Sequence, residues 1–112
     1  MSEYTEFTYG DKSAKAYHHI KGLKKIESSG INLNNVFSGI SQAIMPSVTE
    51  SENILYNALW SDIENMKERR EFVDGFFAAH GAFRASDLVL AFVLDAMKMP
   101  KVEDDGDGEK KT

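Results

Sequence analysis

Apolar residues in the middle of the chain recur at three- and four-residue steps, the spacing of helices that bury one face. The first predicted helix is capped by Asp11 or Ser13, and it ends at the serines and glycine of residues 28–30. The second follows Asn32 and ends at Pro46, because the residue before a proline is displaced from the helical region. Their apolar stripes are Ala16, Tyr17, Ile20, Leu23 and Ile26, and Leu33, Val36, Phe37, Ile40, Ala43 and Ile44.

The next part of the chain predicts a third and a fourth helix. Thr49–Glu52 fits a capping box, in which a hydroxyl and a carboxylate satisfy each other's backbone donors, so we expect the third helix to begin there. Aromatic residues from Phe72 onward mark the fourth helix, which Gly81 ends. The charged segment Asn65–Glu71 between them either forms a turn or continues a helix.

The fifth predicted helix runs from Leu88 to Lys98 and is capped by Ser86 and Asp87. It holds the longest apolar run of the chain, Leu88–Leu94, whose seven residues fall far short of the roughly 20 that span a bilayer. No membrane partner is therefore expected. A helix without a polar face lies in the centre of a core or is covered by a second chain, such as another copy in a homo-oligomer. Both alternatives stay open.

The two ends of the chain differ from this helical middle. Residues 1–10 have the strand-like preferences of tyrosine, threonine and phenylalanine, but with no second strand predicted we interpret them as an extended arm. Residues 101–112 hold five acids and a single apolar residue, Val102, too little apolar surface to offset the entropy of ordering. The sequence thus predicts an all-α single domain of four to five short helices over residues 11–100, followed by a disordered acidic tail.

Composition narrows the class of protein. The chain has 112 residues, 42% of them hydrophobic, and a formal net charge of −5, which suits one globular domain. The absence of cysteine excludes disulfides and every thiolate nucleophile or metal ligand. Because the first residues are acidic and polar rather than signal-like, we expect a cytoplasmic location, which for a viral protein is the cytoplasm of the host.

No constellation of catalytic residues is recognisable in the sequence. His18 and His19 are neighbours, so on a helix they would point about 100° apart and could not share one ion. His80 stands alone near a predicted helix end, and the paired carboxylates lie among lysines and arginines on predicted polar faces. We therefore expect no enzyme activity and no catalytic, cofactor-binding or metal-binding site.

Two surface features point to binding. The stretch from Lys12 to Ile26 holds five lysines and no acid, so a basic Lys12–Lys25 helix would suit a small nucleic-acid-binding regulator. That function is the alternative, since residues 1–100 carry 13 acids against 10 basic residues and nucleic-acid modules normally have a positive surplus. The second feature favours protein binding: five of the seven phenylalanines lie between residues 72 and 92, and aromatic residues are enriched at interfaces.

The order of these segments carries a family resemblance. A helical half with Leu33, Val36, Phe37 and Ile40 precedes a capped helix with Leu55–Trp60, a charged segment, Phe72–Phe77, the aliphatic Leu88–Met97 and a short acidic tail. Over about residues 20–112, this order resembles the small tail assembly chaperones of long-tailed bacteriophages. The resemblance implies a non-enzymatic helper that coats the hydrophobic, helical tape measure protein and keeps it soluble until the tail tube forms around it.

The resemblance also implies how such a helper would bind. An exposed apolar helix aggregates unless it is covered, and helix-in-groove docking would cover it. The groove residues expected from residue type are Leu55, Leu59, Trp60, Phe76, Phe77, Leu90 and Phe92. These chaperones tend to have a longer, frameshifted form, which would contact the tail tube protein. Here Lys110 and Lys111 would lie at the slippery site.

Overall fold

The fold is an α+β arrangement of one hairpin and five helices in the computed structural model, which describes residues 3–42 and 46–98. In chain order the elements are β1 (Tyr4–Tyr9), β2 (Lys12–Tyr17), α1 (Ile20–Ser28), α2 (Leu33–Ser41), α3 (Val48–Ala58), α4 (Met66–His80) and α5 (Ala82–Lys98). The prediction of an all-α domain is therefore wrong. The predicted tail, residues 101–112, lies outside the described residues, as do Ala43 and Ile44.

The hairpin replaces both the predicted arm and the start of the first predicted helix. β1 and β2 pair antiparallel with Tyr9 opposite Lys12, so Gly10 and Asp11 form a two-residue turn. Gly10 has φ 56°, a value that a tight hairpin turn requires and that glycine adopts without steric strain because it has no Cβ. The predicted caps Asp11 and Ser13 are thus wrong, and α1 begins at Ile20 after His19, whose Nδ1 accepts the Lys21 backbone N–H at 3.3 Å.

The inner face of the hairpin packs onto the helices. Phe7, Ala14 and Ala16 alternate inward and are buried, while the intervening residues face outward. The Phe7 ring meets those of Phe76 on α4 and Phe92 on α5 edge to face, at centroid distances of 5.3 and 6.2 Å. A lone two-stranded hairpin is marginal in water, so this contact with the helices stabilises it.

Side chains from the helical part also bond the outer edges of the hairpin. The Lys15 backbone N–H donates to Asp62 Oδ2 at 2.8 Å, on the edge of β2. On the edge of β1, His80 Nε2 donates to the Thr8 carbonyl at 2.7 Å. Unpaired strand edges are sites of aggregation, and these two bonds close part of each edge.

Several predicted helix ends are confirmed and others move. Asn32 caps α2 as expected, since its Oδ1 accepts the Asn35 N–H at 3.0 Å, and Gly81, with φ 87°, ends α4. The N-cap of α3 is Ser47, two residues before the predicted Thr49. The Ser47 hydroxyl accepts the Glu50 backbone N–H at 3.1 Å. The charged segment Asn65–Glu71 becomes the cap and first turns of α4, because Asn65 Oδ1 accepts the Glu68 N–H at 2.9 Å.

Helix α5 lies in the core. It begins directly after Gly81 rather than at Leu88, and it packs against α2, α3 and α4. Val89, Phe92 and Val93 are almost fully buried, so the apolar run serves the interior of this chain. Among the described residues no single helix is long and apolar enough to cross a membrane. Helices α4 and α5 together have the length and apolar composition of a membrane span, but the chain bends by 119° between them.

Two buried serines offer a test of this packing. Ser51 on α3 and Ser86 on α5 are almost fully buried, and within the described part of the chain neither hydroxyl has a hydrogen-bond partner. Replacing either with alanine removes an unsatisfied polar atom and improves helix propensity, so each should raise the free energy of unfolding by about 1 kcal/mol. Urea denaturation measures this. The exposed Ser28→Ala should change little, and a loss of stability at Ser51 or Ser86 would contradict the packing.

A lysine and aromatic surface around Trp60

The structure places six of the seven predicted groove residues in the core. Leu55, Leu59, Phe76, Phe77, Leu90 and Phe92 are each 8% exposed or less. They form one cluster with the inner face of the hairpin, so a partner cannot reach them in this arrangement. A small domain needs its large apolar side chains to build a core at all. Trp60 alone is half-buried, and it stands at the surface in the turn that follows α3.

The indole ring of Trp60 is covered by two lysines of α1. Lys21 and Lys25 are four residues apart, so their side chains leave the same face of the helix. Their Nζ atoms lie 5.7 and 5.5 Å from the centroid of the Trp60 ring, within cation–π distance. Gly22 lies beneath them, and a Cβ there would be 3.6 Å from Trp60 Nε1, in ordinary contact.

A small pocket opens beside the ring. Its volume is about 230 Å³, and its lining residues are Tyr17, His19, Lys21, Trp60 and Ser61. Small-molecule sites usually measure about 300–1,000 Å³, so this pocket is too small for a typical organic cofactor. It suits a single side chain of a polypeptide.

The outer face of the hairpin continues this surface. Tyr4 and Tyr17 are cross-strand partners whose rings meet edge to face at 5.6 Å, and Lys15 Nζ lies 4.9 Å from the Tyr4 ring. The bond from the Lys15 main chain to Asp62 holds this face next to the turn that carries Trp60. We call the whole region the Trp60 surface, and its members are Tyr4, Lys15, Tyr17, His19, Lys21, Lys25 and Trp60.

The predicted basic helix does not exist. Lys12 and Lys15 lie on β2, and the other three lysines of the stretch lie on α1. The sequence therefore identified the lysines but not their arrangement. It also missed Tyr4 and Tyr17, although a Gly-Asp pair between two short runs was the available signal for a hairpin that would pair them.

Other polar clusters are structural. His18 is buried, with Nε2 at 2.7 Å from the Thr5 hydroxyl and its ring 5.7 Å from that of Phe92. The described residues contain no group of three or more His, Asp or Glu that could hold a metal ion.

Arg69 is buried, although it lies in the charged segment Asn65–Glu71. Its Nε donates to the Ile63 carbonyl at 2.8 Å and Nη2 donates to that of Glu64 at 3.2 Å, which closes the turn between α3 and α4. Its guanidinium lies 4.8 Å from the Tyr56 ring, and that of Arg70 lies 4.4 Å from it. These contacts anchor the turn that presents Trp60.

Comparison of the chain with protein-family models, with curated proteins and with solved structures found no match. The chemistry of the Trp60 surface is therefore the basis for assigning a function, together with the order of segments along the chain.

Proposed function

We propose that this chain is a non-enzymatic assembly chaperone that binds helical, hydrophobic segments of another protein and keeps that protein soluble. The partner implied by the resemblance is the tape measure protein of a long-tailed bacteriophage. One observation carries the proposal: three aromatic residues, Tyr4, Tyr17 and Trp60, lie together on the surface beside a pocket the size of one side chain. Aromatic residues at a surface are a common signature of protein interfaces.

The contact residues of this proposal differ from those expected from the sequence. The six buried members of the predicted groove support the fold, and Trp60 is the member that stays in the proposed contact. An apolar side chain of the partner would enter the pocket beside Trp60, while Lys21 and Lys25 would contact the polar flank of the partner helix. One such contact is weak, but many copies along one long partner gain strength through multivalency.

The proposal predicts a gain in solubility on co-expression. A helical, tape-measure-like protein that is insoluble alone should become mostly soluble when this chain is co-expressed with it. Trp60→Ala and Tyr17→Ala should each reduce that soluble fraction, because truncating an interface aromatic commonly costs about 2 kcal/mol, roughly a 30-fold loss of affinity. The measurement is the partner's soluble fraction, quantified on gels.

Phe83→Ala is the matched control. Phe83 is the most exposed large apolar residue in the described part of the chain, at 77%, and it lies on α5 outside the Trp60 surface. This variant should solubilise the partner as well as the unmodified chain does. If the unmodified chain gives no gain in solubility, the chaperone function is wrong. If Phe83→Ala lowers solubility and Trp60→Ala does not, the assignment of the surface is wrong.

The nucleotide sequence supplies an independent test. The codons of Lys110 and Lys111 should lie within a slippery heptamer that overlaps a downstream reading frame. A gene for a long helical protein should follow. Codons that cannot form such a heptamer would argue against membership of this chaperone class.

A further inference from the structure

We propose that the partner helix recognised by the Trp60 surface is acidic along one stripe. An apolar side chain of that helix fills the pocket beside Trp60, and carboxylates one and two helical turns away bind Lys21 and Lys25. The inference rests on the proposed function for the helical nature of the partner, and it adds the charge by which that partner is selected.

The two lysines of α1 are spaced to meet such a stripe. Lys21 and Lys25 leave the same face of α1, about 6 Å apart along its axis. Carboxylates four residues apart on a second helix have the same spacing, so each can face one lysine when the two helices lie side by side. The aromatic ring beneath the lysines does not neutralise them. An ammonium group has three N–H donors, so each lysine can bind a carboxylate while it stays beside the ring.

The acids of the helices leave these two lysines unneutralised. Within the described part of the chain, neither Lys21 nor Lys25 forms an ion pair. The positions three and four residues from either lysine hold no acid, and Glu27, two residues after Lys25, lies about 200° around the helix. Glu50 and Glu52 lie near the start of α3, at the far end of that helix from the turn that follows it. Carboxylates of a partner therefore have no competitor on the stripe.

The hairpin side of the surface, by contrast, has no net positive charge. Glu6 is opposite Lys15 in the strand register, and Asp62 Oδ2 accepts the Lys15 backbone N–H at 2.8 Å. Asp62 is the acid closest to Trp60 along the chain, and this bond holds its carboxylate at the edge of β2. Glu64, two residues further, is exposed. We therefore expect the acidic stripe of the partner to face α1 and not the hairpin.

The pocket favours the same partner. Among the described residues that line it, Lys21 is a cation and none is an acid. Tyr17 in the lining is 38% exposed, and Ile20, between two lining residues, is 36% exposed, so apolar surface lies directly beside the lysines. The formal net charge of −5 opposes an acidic partner only weakly, because at physiological salt charges act over about 8 Å. An apolar anchor with an acidic flank thus matches two adjacent parts of the surface.

An acidic helix fits this surface better than nucleic acid does. Single-stranded nucleic acid combines a positively charged groove with stacking of its bases on aromatic rings. Lys21 and Lys25 lie over the Trp60 ring, and Lys15 lies over Tyr4, so these rings are partly covered. A helix needs only the ammonium groups and the pocket, which both remain accessible.

Three otherwise identical helical peptides of about 20 residues test the charge of the partner. Each has a central leucine, and the positions four and eight residues before and after it hold Glu, Gln or Lys, so either direction of the helix can align with α1. Their affinity for the full-length chain is measured by fluorescence anisotropy, and circular dichroism verifies equal helicity. The Glu peptide should bind about fivefold more tightly than the Gln peptide, because two exposed ion pairs contribute, and the Lys peptide should bind most weakly. The difference should disappear at about 1 M salt.

Matched variants separate the two lysines from net charge. The double variant Lys21→Gln and Lys25→Gln should bind the Glu and Gln peptides equally. Its control is Lys12→Gln with Lys24→Gln, which changes the net charge equally at two exposed lysines that lie over no aromatic ring among the described residues. The control should keep the fivefold preference, and an equal loss there would overturn the proposal. Lys21→Glu with Lys25→Glu should instead prefer the Lys peptide, a reversal that a loss of structure could not produce.

The remaining outcomes separate this inference from the chaperone function. Equal affinity of the unmodified chain for the Glu and Gln peptides would overturn the inference and leave the chaperone function standing. A preference for the Glu peptide without any gain in solubility on co-expression would contradict the chaperone function alone. No binding of any peptide up to millimolar concentration would also overturn the inference. A single-stranded oligonucleotide that binds more tightly than the Glu peptide would assign the surface to nucleic acid and overturn it as well.

Discussion

Replacing Phe7 with alanine should lower the free energy of unfolding by about 3–5 kcal/mol, the usual cost of truncating a buried phenylalanine. Phe7 is 2% exposed, and its ring contacts Phe76 and Phe92 from two helices. It is also the largest side chain that the hairpin contributes to the core. Small domains have only about 5–15 kcal/mol of stability in total, so the variant should be close to unfolding at 37 °C. Urea denaturation followed by circular dichroism measures the loss.

Phe83→Ala supplies the comparison for this prediction as well. It removes the same atoms from a position that is 77% exposed, so the free energy of unfolding should stay within about 0.5 kcal/mol of that of the unmodified chain. If Phe7→Ala costs less than about 1 kcal/mol, the hairpin is a peripheral arm rather than part of the core. The α+β description would then be incorrect in solution.

Gly75→Ala should destabilise the protein although alanine is the better helix former. In the middle of a helix this change normally adds about 0.5–1 kcal/mol of stability. At Gly75, however, the new Cβ would overlap the Tyr9 hydroxyl and lie 2.6 Å from Tyr9 Cζ. Tyr9 cannot move away cheaply because its ring packs against Phe72 and Phe76 at 5.1 and 6.5 Å. We expect a net loss of about 1–3 kcal/mol in urea denaturation.

Gly22→Ala is the control, and it should not lower the free energy of unfolding as Gly75→Ala does. It lies within α1, where a Cβ would make only ordinary contacts, at 3.6 Å from Trp60 Nε1 and 3.7 Å from the Tyr17 carbonyl oxygen. This variant should be neutral or more stable. On a Tyr9→Ala background the cost of Gly75→Ala should disappear, because the overlapping atoms are gone. A cost that persists there would assign the effect of Gly75→Ala to something other than Tyr9.

Local signals in the sequence predicted much of the helical part. Asn32 and Gly81 act where their chemistry suggests, since a side-chain cap and a left-handed glycine depend on a few neighbouring residues. The N-cap of α3 was placed two residues too late because both Ser47 and Thr49 have a glutamate three residues later, as a capping box requires. The helical spacing alone could not choose between these two caps.

The hairpin and the site could not be predicted in the same way. Tyr4–Tyr9 and Lys12–Tyr17 are too short and too polar to specify strands alone, and they hold that form because Phe7 docks on two distant helices. Residue type alone likewise predicted that phenylalanines and leucines form the binding groove, yet most of these large apolar residues fill the core. Which apolar residue remains at the surface depends on how the elements pack.

By itself, the sequence determined that the second half is helical, that α2 follows Asn32 and that α4 ends at Gly81, because these features follow from contacts within a few residues. Only the tertiary structure decided that the first residues form a hairpin and that α5 is a core helix. It alone placed Trp60 under Lys21 and Lys25, beside the outer face of the hairpin. The docking of the hairpin on α4 and α5 and the contacts of Trp60 depend on pairs of residues about 35 to 85 positions apart along the chain, which no local pattern specifies.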